Sequence, residues 1–575
     1  MIARQEYERW LSYKGLSDAE REELLLIGDD EETIALRFGE GLRFGTAGLR
    51  STMYLGPACM NEYTVAQATA GIAALVLKVG GGARGVAIAY DSRNGSSAFA
   101  TVCAEVLAAE GVRAYLFDGV RPTPELSFAV RALGCQAGIN ITASHNPKEY
   151  NGYKAYWEDG AQISPEQSRV VADAISRIDV LDGARRMPID KAKAAGLVTV
   201  LDEAFDALYL RAVENTAINR DAIRRVADDL KIVYTPLHGA GHRLVPEMLK
   251  RAGLTQLYTV EEQMVLDGNF PTVKKPNPEY ADVFSLGIEL AEKVGSDLII
   301  ATDPDADRVG VMSRTKDGRF ATITGNQMGA LLFDYVIRAR RATGKLSTGA
   351  YAVKSIVSTD LASKIAEAQG VTLYDVFTGF KFIGEVIKNH EEKGSDAEFI
   401  LGFEESYGYL FGSYARDKDA VGATLMIVEM TAYYRAKGMT LSDALEGLYR
   451  EYGFYKEGIL DVYMEGLDGI ARRLKVMRGL RDAPPKTLGG VSVTEVTDHE
   501  KQTTLSLADG REYPTGRGKS DVLYYTLENG DKVVVRPSGT EPKIKFYFLC
   551  HGTDEESLNR KIAAYQKDAE GFTTL

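Results

Sequence analysis

Between about residues 85 and 405 the chain repeats one pattern. A short apolar, β-rich run leads into a polar loop, then a helical stretch, a glycine and a second strand. The first copy runs VAIAYDSRNGSS, a helix to Glu110, Gly111 and VRAYLFDG. The second runs KIVYTPLHGAG, a helix through Arg251, Gly253 and LTQLYTVEE. The third runs YAVKSIVSTD, a shorter helix, Gly370 and VTLYDVFTG. A glycine just past a helix suits the left-handed C′ position, and the strand–helix–strand order implies right-handed crossovers between parallel strands. Three similar α/β units follow.

Residues 1–40 read as amphipathic helices with acidic faces, and a charged helical stretch near 165–225 separates the first unit from the second. The loop DGNFPTVKKPNPE (Asp267 to Glu279), rich in turn formers, lies inside the second. From about residue 455 short strands and turns (TLSLADGREYP, DVLYYTLENGDKVVVRP) precede a terminal helix, which predicts a smaller α+β domain. The expected fold class is therefore α/β, with four domains over residues 1–203, 204–318, 319–453 and 454–575.

Length agrees: 575 residues at roughly 150 per domain give about 3.8 domains. With 68 Lys and Arg against 81 Asp and Glu, the net charge is −13. Such a surface repels phosphate backbones and argues against nucleic acid as a partner. Cys59, Cys103, Cys135 and Cys550 are scattered without a CxxC pair, which argues against disulfides or structural zinc and fits a reducing cytoplasm. The charged N-terminus lacks the apolar core of a secretion signal. The apolar stretch Ala68 to Val79 is too short to span a bilayer and predicts a buried helix. No membrane partner is expected.

Three nucleotide or hydrolase signals fail on context. GGGARG (Gly80 to Gly85) follows a helix and precedes a strand, the reverse of a dinucleotide fingerprint. Gly518-Lys519-Ser520 ends like a P-loop, but Tyr513 stands where the first glycine belongs. No GxSxG occurs.

Five other motifs carry chemistry. Asp303-Pro304-Asp305-Ala306-Asp307-Arg308 places three carboxylates on alternate residues after an apolar strand. They repel unless a cation sits among them, and oxygen-only donors favour a hard ion such as Mg²⁺; a solvated acidic loop is the plain alternative. The EF-hand pattern fails, because Arg308 and Arg314 stand where glycine and glutamate are required. Thr142-Ala143-Ser144-His145-Asn146-Pro147 offers Ser144 as a nucleophile, with His145 or Lys154 for proton transfer, or else a capping turn. Asn151-Gly152 is a turn signal that could fold Lys154 back towards Ser144, and burial or a cationic neighbour would lower its pKa. Arg536-Pro537-Ser538-Gly539-Thr540-Glu541-Pro542-Lys543 reads as a phosphate nest or an ordinary turn. Gly402-Phe403-Glu404-Glu405-Ser406-Tyr407-Gly408, placed after a strand over 398–401, suits sugar hydroxyls, or else is a solvent-facing glutamate pair. Arg43-Phe44-Gly45-Thr46-Ala47-Gly48-Leu49-Arg50 sets two arginines around a glycine-rich turn, which binds phosphate or else simply bends the chain. Together these point to phosphoryl transfer on a small phosphorylated sugar.

TASHNP, DPDADR, GFEESYG and RPSGTEPK, in this order and with GTAGLR before them, resemble the signatures of the α-D-phosphohexomutase superfamily. The forms RFGTAGLR, DGNFPTVKKPNPE, TGFKFIGE and GFEESYG resemble its long branch of bacterial phosphoglucomutases and phosphopentomutases. The resemblance implies a heart-shaped, four-domain enzyme: three similar mixed-sheet α/β domains and a smaller C-terminal one, each bringing a loop to a shared cleft. It implies Ser144 as the phosphoserine, with Asp303, Asp305 and Asp307 holding one Mg²⁺ beside its phosphate. Arg308 and Arg50 would steady the transferring group, Lys154 would be the acid/base and His145 would lie beside it. Thr378, Gly379, Lys381, Glu404 and Ser406 would bind the sugar, and Arg536, Ser538, Gly539 and Thr540 the phosphate that is not reacting. Glucose 1,6-bisphosphate would be intermediate and activator, and the assembly a monomer or weak homodimer. Where mannose-type members carry GEMSGH, Glu405 replaces Met and Gly408 takes the His place, which favours glucose. A phosphopentomutase, a phosphomannomutase and, in another class, a Mg²⁺-dependent sugar phosphatase are the alternatives.

Overall fold

A computed structural model describes residues 2–45, 48–464, 469–538 and 543–572. Among these, β-strands form four sheets. The first takes β1 (Leu49–Thr52), β2 (Val86–Tyr90), β3 (Ala114–Phe117), β4 (Ala137–Ile141), β5 (Tyr150–Trp157) and β6 (Val198–Leu201) in the order β1-β5-β4-β2-β3-β6. The second takes β7 (Lys231–Thr235), β8 (Gln256–Thr259), β9 (Leu298–Thr302), β10 (Val309–Arg314) and β11 (Phe320–Ile323) in the order β11-β10-β9-β7-β8. The third takes β12 (Tyr351–Ser355), β13 (Thr372–Val376), β14 (Phe399–Glu404) and β15 (Gly408–Leu410) in the order β13-β12-β14-β15.

One kernel recurs in all three. A parallel trio (β3-β2-β4, β8-β7-β9, β13-β12-β14) is extended by one antiparallel strand, β5, β10 or β15. Gly111, Gly253 and Gly370, at φ 75°, 95° and 66°, take the left-handed turn after the first helix of each unit, as the repeat predicts. Helices cover both faces, so the inner strands VAIAY, AGINI, LIIAT and YAVKS are buried at every position and read as continuous apolar runs. The stretch over 165–225 is not wholly helical, since β6 lies within it and pairs in parallel with β3 at the edge of the first sheet.

The fourth sheet is antiparallel throughout. It takes β16 (Phe454–Tyr463), β17 (Thr487–Leu488), β18 (Val491–Asp498), β19 (Thr503–Ser506), β20 (Glu512–Pro514), β21 (Leu523–Leu527), β22 (Lys532–Pro537) and β23 (Lys543–Gly552), in the order β16-β23-β22-β21-β18-β19-β20 with β17 beside β18. Strand β21 alternates buried and part-exposed positions, the mark of a sheet with one face on a core. The second and third sheets share one apolar cluster that includes Ile300, Leu331, Phe403 and Val421. The fourth has its own core and meets the third domain through a small cluster of Ile356, Val357 and Phe377 against Val522, Val534 and Tyr547. All four cysteines are buried and unpaired. No helix among the described residues is long and apolar enough to cross a membrane.

Candidate active site

The functional loops occupy equivalent places. In each of the first three units the connection from the third parallel strand to the antiparallel strand (β4 to β5, β9 to β10, β14 to β15) carries one motif. Each holds one non-glycine residue in the left-handed region: Ser144 at φ 53°, Ala306 at 50° and Tyr407 at 66°. Such backbone costs on the order of 1–3 kcal/mol and persists only where the surroundings impose it.

Around Ser144 the imposing group is Arg93. Its buried guanidinium donates to the carbonyls of Ser144 (2.6 Å), Pro147 (2.8 Å), Tyr150 (3.1 Å) and Asn146, and it pairs with Asp91 at 3.2 Å. Thr142 Oγ1 donates to Asp91 (2.6 Å) and accepts the Ser144 backbone N–H (2.8 Å). The Ser144 hydroxyl thus points across the domain boundary and donates to Asp303 Oδ2 at 3.0 Å, with His145 Nδ1 3.1 Å away. Burial first, then Arg308, Arg50, Arg93 and Lys154, push the His145 pKa well down, so its ring is neutral.

In the next loop Asp303, Asp305 and Asp307 are fully or almost fully buried, and an oxygen from each lies within 4.8 Å of the others. Asp303 Oδ1 accepts the backbone N–H groups of Asp307 (3.1 Å) and Arg308 (3.0 Å). Asp305 Oδ1 and Asp307 Oδ1 are buried and accept no hydrogen bond from any described group. Burial, then the charges of Asp305 and Asp307, raise the Asp303 pKa well above the carboxylate range. Asp305 moves the other way: burial alone would raise it, but the Lys154 charge and hydrogen bond outweigh that. Crowded, buried, oxygen-only donors with two unused lone-pair sites fit a hard divalent cation, and this group could hold one.

Lys154 differs from its expected setting. Asn151 and Gly152 form no turn; both lie in β5, where Asn151 Nδ2 donates to Asn94 O and Ser96 Oγ at 3.0 Å each. Glycine is required at 152 because a Cβ would sit 2.5 Å from the Thr142 carbonyl. Lys154 instead arrives by strand pairing opposite Asn140. Its ammonium donates to Asp305 Oδ2 at 2.7 Å and Asp307 Oδ2 at 3.3 Å. Burial depresses its pKa, but the two carboxylates win and the value is raised, not lowered.

The third loop begins inside a strand, since β14 runs through Glu404 rather than ending near 401. Glu404 accepts the Gly379 N–H at 2.6 Å, and burial together with the Glu405 charge pushes its pKa up to about 7. Thr378, Gly379 and Lys381 stand at the start of the helix Phe380–Glu392, against the same cleft as Ser406.

From the fourth domain come Arg536 near the end of β22 and Ser538, whose N–H donates to Lys543 O at 2.8 Å. Arg536 Nη1 is buried without a hydrogen bond among the described residues. Gly539 and Thr540 lie outside the described residues, as do Thr46 and Ala47 of the N-terminal motif. The two arginines of that motif part company: Arg50 faces the cleft and donates to Asn146 Oδ1 (3.0 Å), whereas Arg43 is exposed and pairs with Glu40.

These loops line one cleft of about 340 Å³ to which all four domains contribute. It gathers Ser144, His145, Lys154, Arg50, Arg308, Thr378, Gly379, Lys381, Glu404, Ser406, Arg536 and Ser538, with Asp307 at the wall and Asp303 and Asp305 buried behind it. Nine lysines and arginines face five carboxylates, so the cleft is cationic although the chain carries −13.

Two further contributors have no role assigned to them from sequence. Lys418 donates to Asp417 at 3.1 Å and pairs with Asp307 at 3.0 Å, and Asp417 accepts from Tyr156 (2.8 Å) and Gln162 (3.2 Å) of the first domain. Glu279, from the Asp267–Glu279 loop, pairs with Arg308. The available signal for the first was Arg416-Asp417-Lys418-Asp419, four charges in a row before an apolar helix.

Models of the phosphoglucomutase/phosphomannomutase family match all four domains: alpha/beta/alpha domain I over 41–181, domain II over 207–318, domain III over 324–452 and the C-terminal domain over 486–564. The phosphoglucomutase of Staphylococcus saprophyticus is 37% identical over 523 residues, covering 91% of this chain and 93% of that one. That of Staphylococcus haemolyticus is 35% identical, covering 97% and 98%. Among solved structures, the open form of parafusin, a Paramecium phosphoglucomutase, superposes with a TM-score of 0.67 at 16% identity, covering 93% of this chain and 95% of that one. A phosphoglucomutase/phosphomannomutase family protein from Burkholderia thailandensis gives 0.64 at 19%, covering 92% and 97%. These two likenesses concern the fold.

Proposed function

The chain belongs to the phosphoglucomutase/phosphomannomutase family, and from that premise we propose that it interconverts glucose 1-phosphate and glucose 6-phosphate. The observation that carries this reading is the Ser144 hydroxyl 3.0 Å from Asp303, in a cleft to which four domains bring cations. Ser144 carries the phosphoryl group, which passes to the free hydroxyl of the bound monophosphate; the P–Oγ bond breaks as the new P–O bond forms. The resulting glucose 1,6-bisphosphate turns end for end, and its other phosphoryl group returns to Ser144 Oγ. Arg308 and Arg50 flank the transferring oxygens, where charge neutralisation matters more than covalent machinery.

Asp303, Asp305 and Asp307, with the serine phosphate, would hold Mg²⁺, which when bound would offset charge on the phosphoryl oxygens. The proton of the sugar hydroxyl ends on Ser144 Oγ, and Lys154, with the neutral His145 beside it, is the acid/base that relays it, giving an ammonium proton to the departing Oγ and taking the sugar's. Glu404 and Ser406 bind sugar hydroxyls against Thr378, Gly379 and Lys381. Arg536 and Ser538, with Gly539 and Thr540, hold the distal phosphate at either end of the sugar. The setting is cytoplasmic, the partner a small phosphosugar and the assembly a monomer or weak homodimer.

Turnover of glucose 1-phosphate, ribose 1-phosphate and mannose 1-phosphate tests the substrate, with released phosphate measured in parallel. The expected result is the highest kcat/KM for glucose 1-phosphate and no stoichiometric phosphate. Preference for the pentose would overturn the glucose assignment, and stoichiometric release would make the protein a phosphatase.

A further inference from the structure

We propose that Thr123 is a positioning residue for the cation site, reaching from the first domain to choose which oxygen of Asp305 is left for the ion; this rests on the reading of Asp303, Asp305 and Asp307 as the site. Thr123 opens the helix Thr123–Ala132 of the first domain, while Asp305 belongs to the second. All three residues of the relay are fully buried. Asn140 Nδ2, in β4, donates to Thr123 Oγ1 at 2.7 Å, and that hydroxyl donates to Asp305 Oδ2 at 2.7 Å. A hydroxyl has one proton. With Asn140 supplying a donor to its oxygen, that proton is directed at the carboxylate.

A second tie fixes the backbone, since Thr123 N–H donates to the Asp305 carbonyl at 2.8 Å. Asp305 Oδ2 is therefore held from the first domain, and Oδ1, with no hydrogen-bond partner among the described residues, is the oxygen presented to an ion. Lys154 also holds Oδ2, at 2.7 Å, but it is the proposed proton carrier, so its charge and its donors change during the reaction. Thr123 is the donor that can stay throughout. The same relay couples the domain that carries Ser144 to the domain that carries the carboxylates. Partners that orient a ligating carboxylate typically contribute about 10–100-fold to metal affinity.

The test titrates Mn²⁺ into the full-length protein and follows the free ion by electron paramagnetic resonance, for wild type, Thr123→Val and Thr123→Ser. The valine keeps the shape and removes the hydroxyl; the serine keeps it. Weakening of Mn²⁺ binding by about tenfold or more in Thr123→Val, with Thr123→Ser within about twofold of wild type, is the expected result. KM for glucose 1-phosphate at saturating Mg²⁺ should stay near wild type in both. Unchanged Mn²⁺ affinity in Thr123→Val, even with a lowered Tm, would overturn the inference and leave Thr123 as domain glue. A wild-type protein that binds no Mn²⁺ would instead overturn the metal reading itself. If Thr123→Val does not fold, Thr123→Ala, which also removes the hydroxyl, takes its place, and wild-type Mn²⁺ affinity in that variant would overturn the inference equally.

Discussion

At the junction of the first two domains, Ser144, Asp303 and Lys154 are all under a tenth exposed and are tied by hydrogen bonds of 2.7–3.3 Å across the boundary. Arg536 and Ser538 of the fourth domain are part-exposed, and one Arg536 nitrogen is buried without a hydrogen bond among the described residues. The first region is over-determined: Arg93 grips four carbonyls, and Thr123 and Lys154 fix Asp305. The second sits on a domain with its own core, joined to the third by a small apolar cluster and the pairs Lys532–Asp360 at 2.7 Å and Arg517–Asp375 at 3.8 Å. The contrast matches two tasks. Transfer demands one geometry at the reacting phosphorus, whereas the distal site must accept a sugar presented either way round.

Substitutions should separate the two regions. Asp305→Asn removes a charge from the tight region and should lower kcat/KM by at least about a hundredfold, with a matching rise in the Mg²⁺ needed for half-maximal rate. Wild-type Mg²⁺ dependence in that variant would remove Asp305 from the site. Arg536→Ala should raise KM for glucose 1-phosphate by roughly 10–100-fold, the equivalent of a charge-assisted hydrogen bond of about 1.5–3 kcal/mol, with kcat changed only a few-fold. Equal loss in kcat and kcat/KM would place Arg536 in the transition state and erase the contrast.

The smallest effect concerns the joint of the fourth domain. Glu457, in β16, has its pKa pushed up to about 7, chiefly by burial and further by the Asp360 charge, against a Thr359 hydrogen bond and Lys354. Because the folded state holds this proton more tightly than the unfolded chain, its contribution is fully present below about pH 4.5 and is lost as pH rises through 7. Glu457→Gln cannot ionise, so its Tm should exceed that of wild type by a few degrees at pH 8 and match it at pH 5. A higher Tm at pH 5 than at pH 8, relative to wild type, would reverse the assigned sign.

Much of this arrangement was legible in residue order, because strand ends and loops are local. The apolar runs, the three post-helix glycines and the motifs at strand ends all rest on neighbours along the chain. What escaped depends on pairing between distant segments. Asn151-Gly152 has the composition of a turn, yet pairing with Ser51 and Arg50 of β1 makes it strand, and the glycine serves the close approach of the Thr142 carbonyl. Lys154 has the composition of a base with a lowered pKa, yet two aspartates about 150 residues away raise it. Arg416-Asp417-Lys418-Asp419 looks like a solvated charge run but is buried, each charge finding a partner from another segment. Thr123 and Arg93 sit in no chemical motif and act only through groups that folding brings to them.

The central claim is that Ser144 carries the phosphoryl group. Intact-mass and peptide-mass measurement after incubation with glucose 1,6-bisphosphate tests it most directly, comparing wild type with Ser144→Ala. One added phosphate on the peptide holding Ser144, absent from a folded and inactive Ser144→Ala, is the predicted result. A phosphate on another residue, or retained turnover in Ser144→Ala, would contradict it.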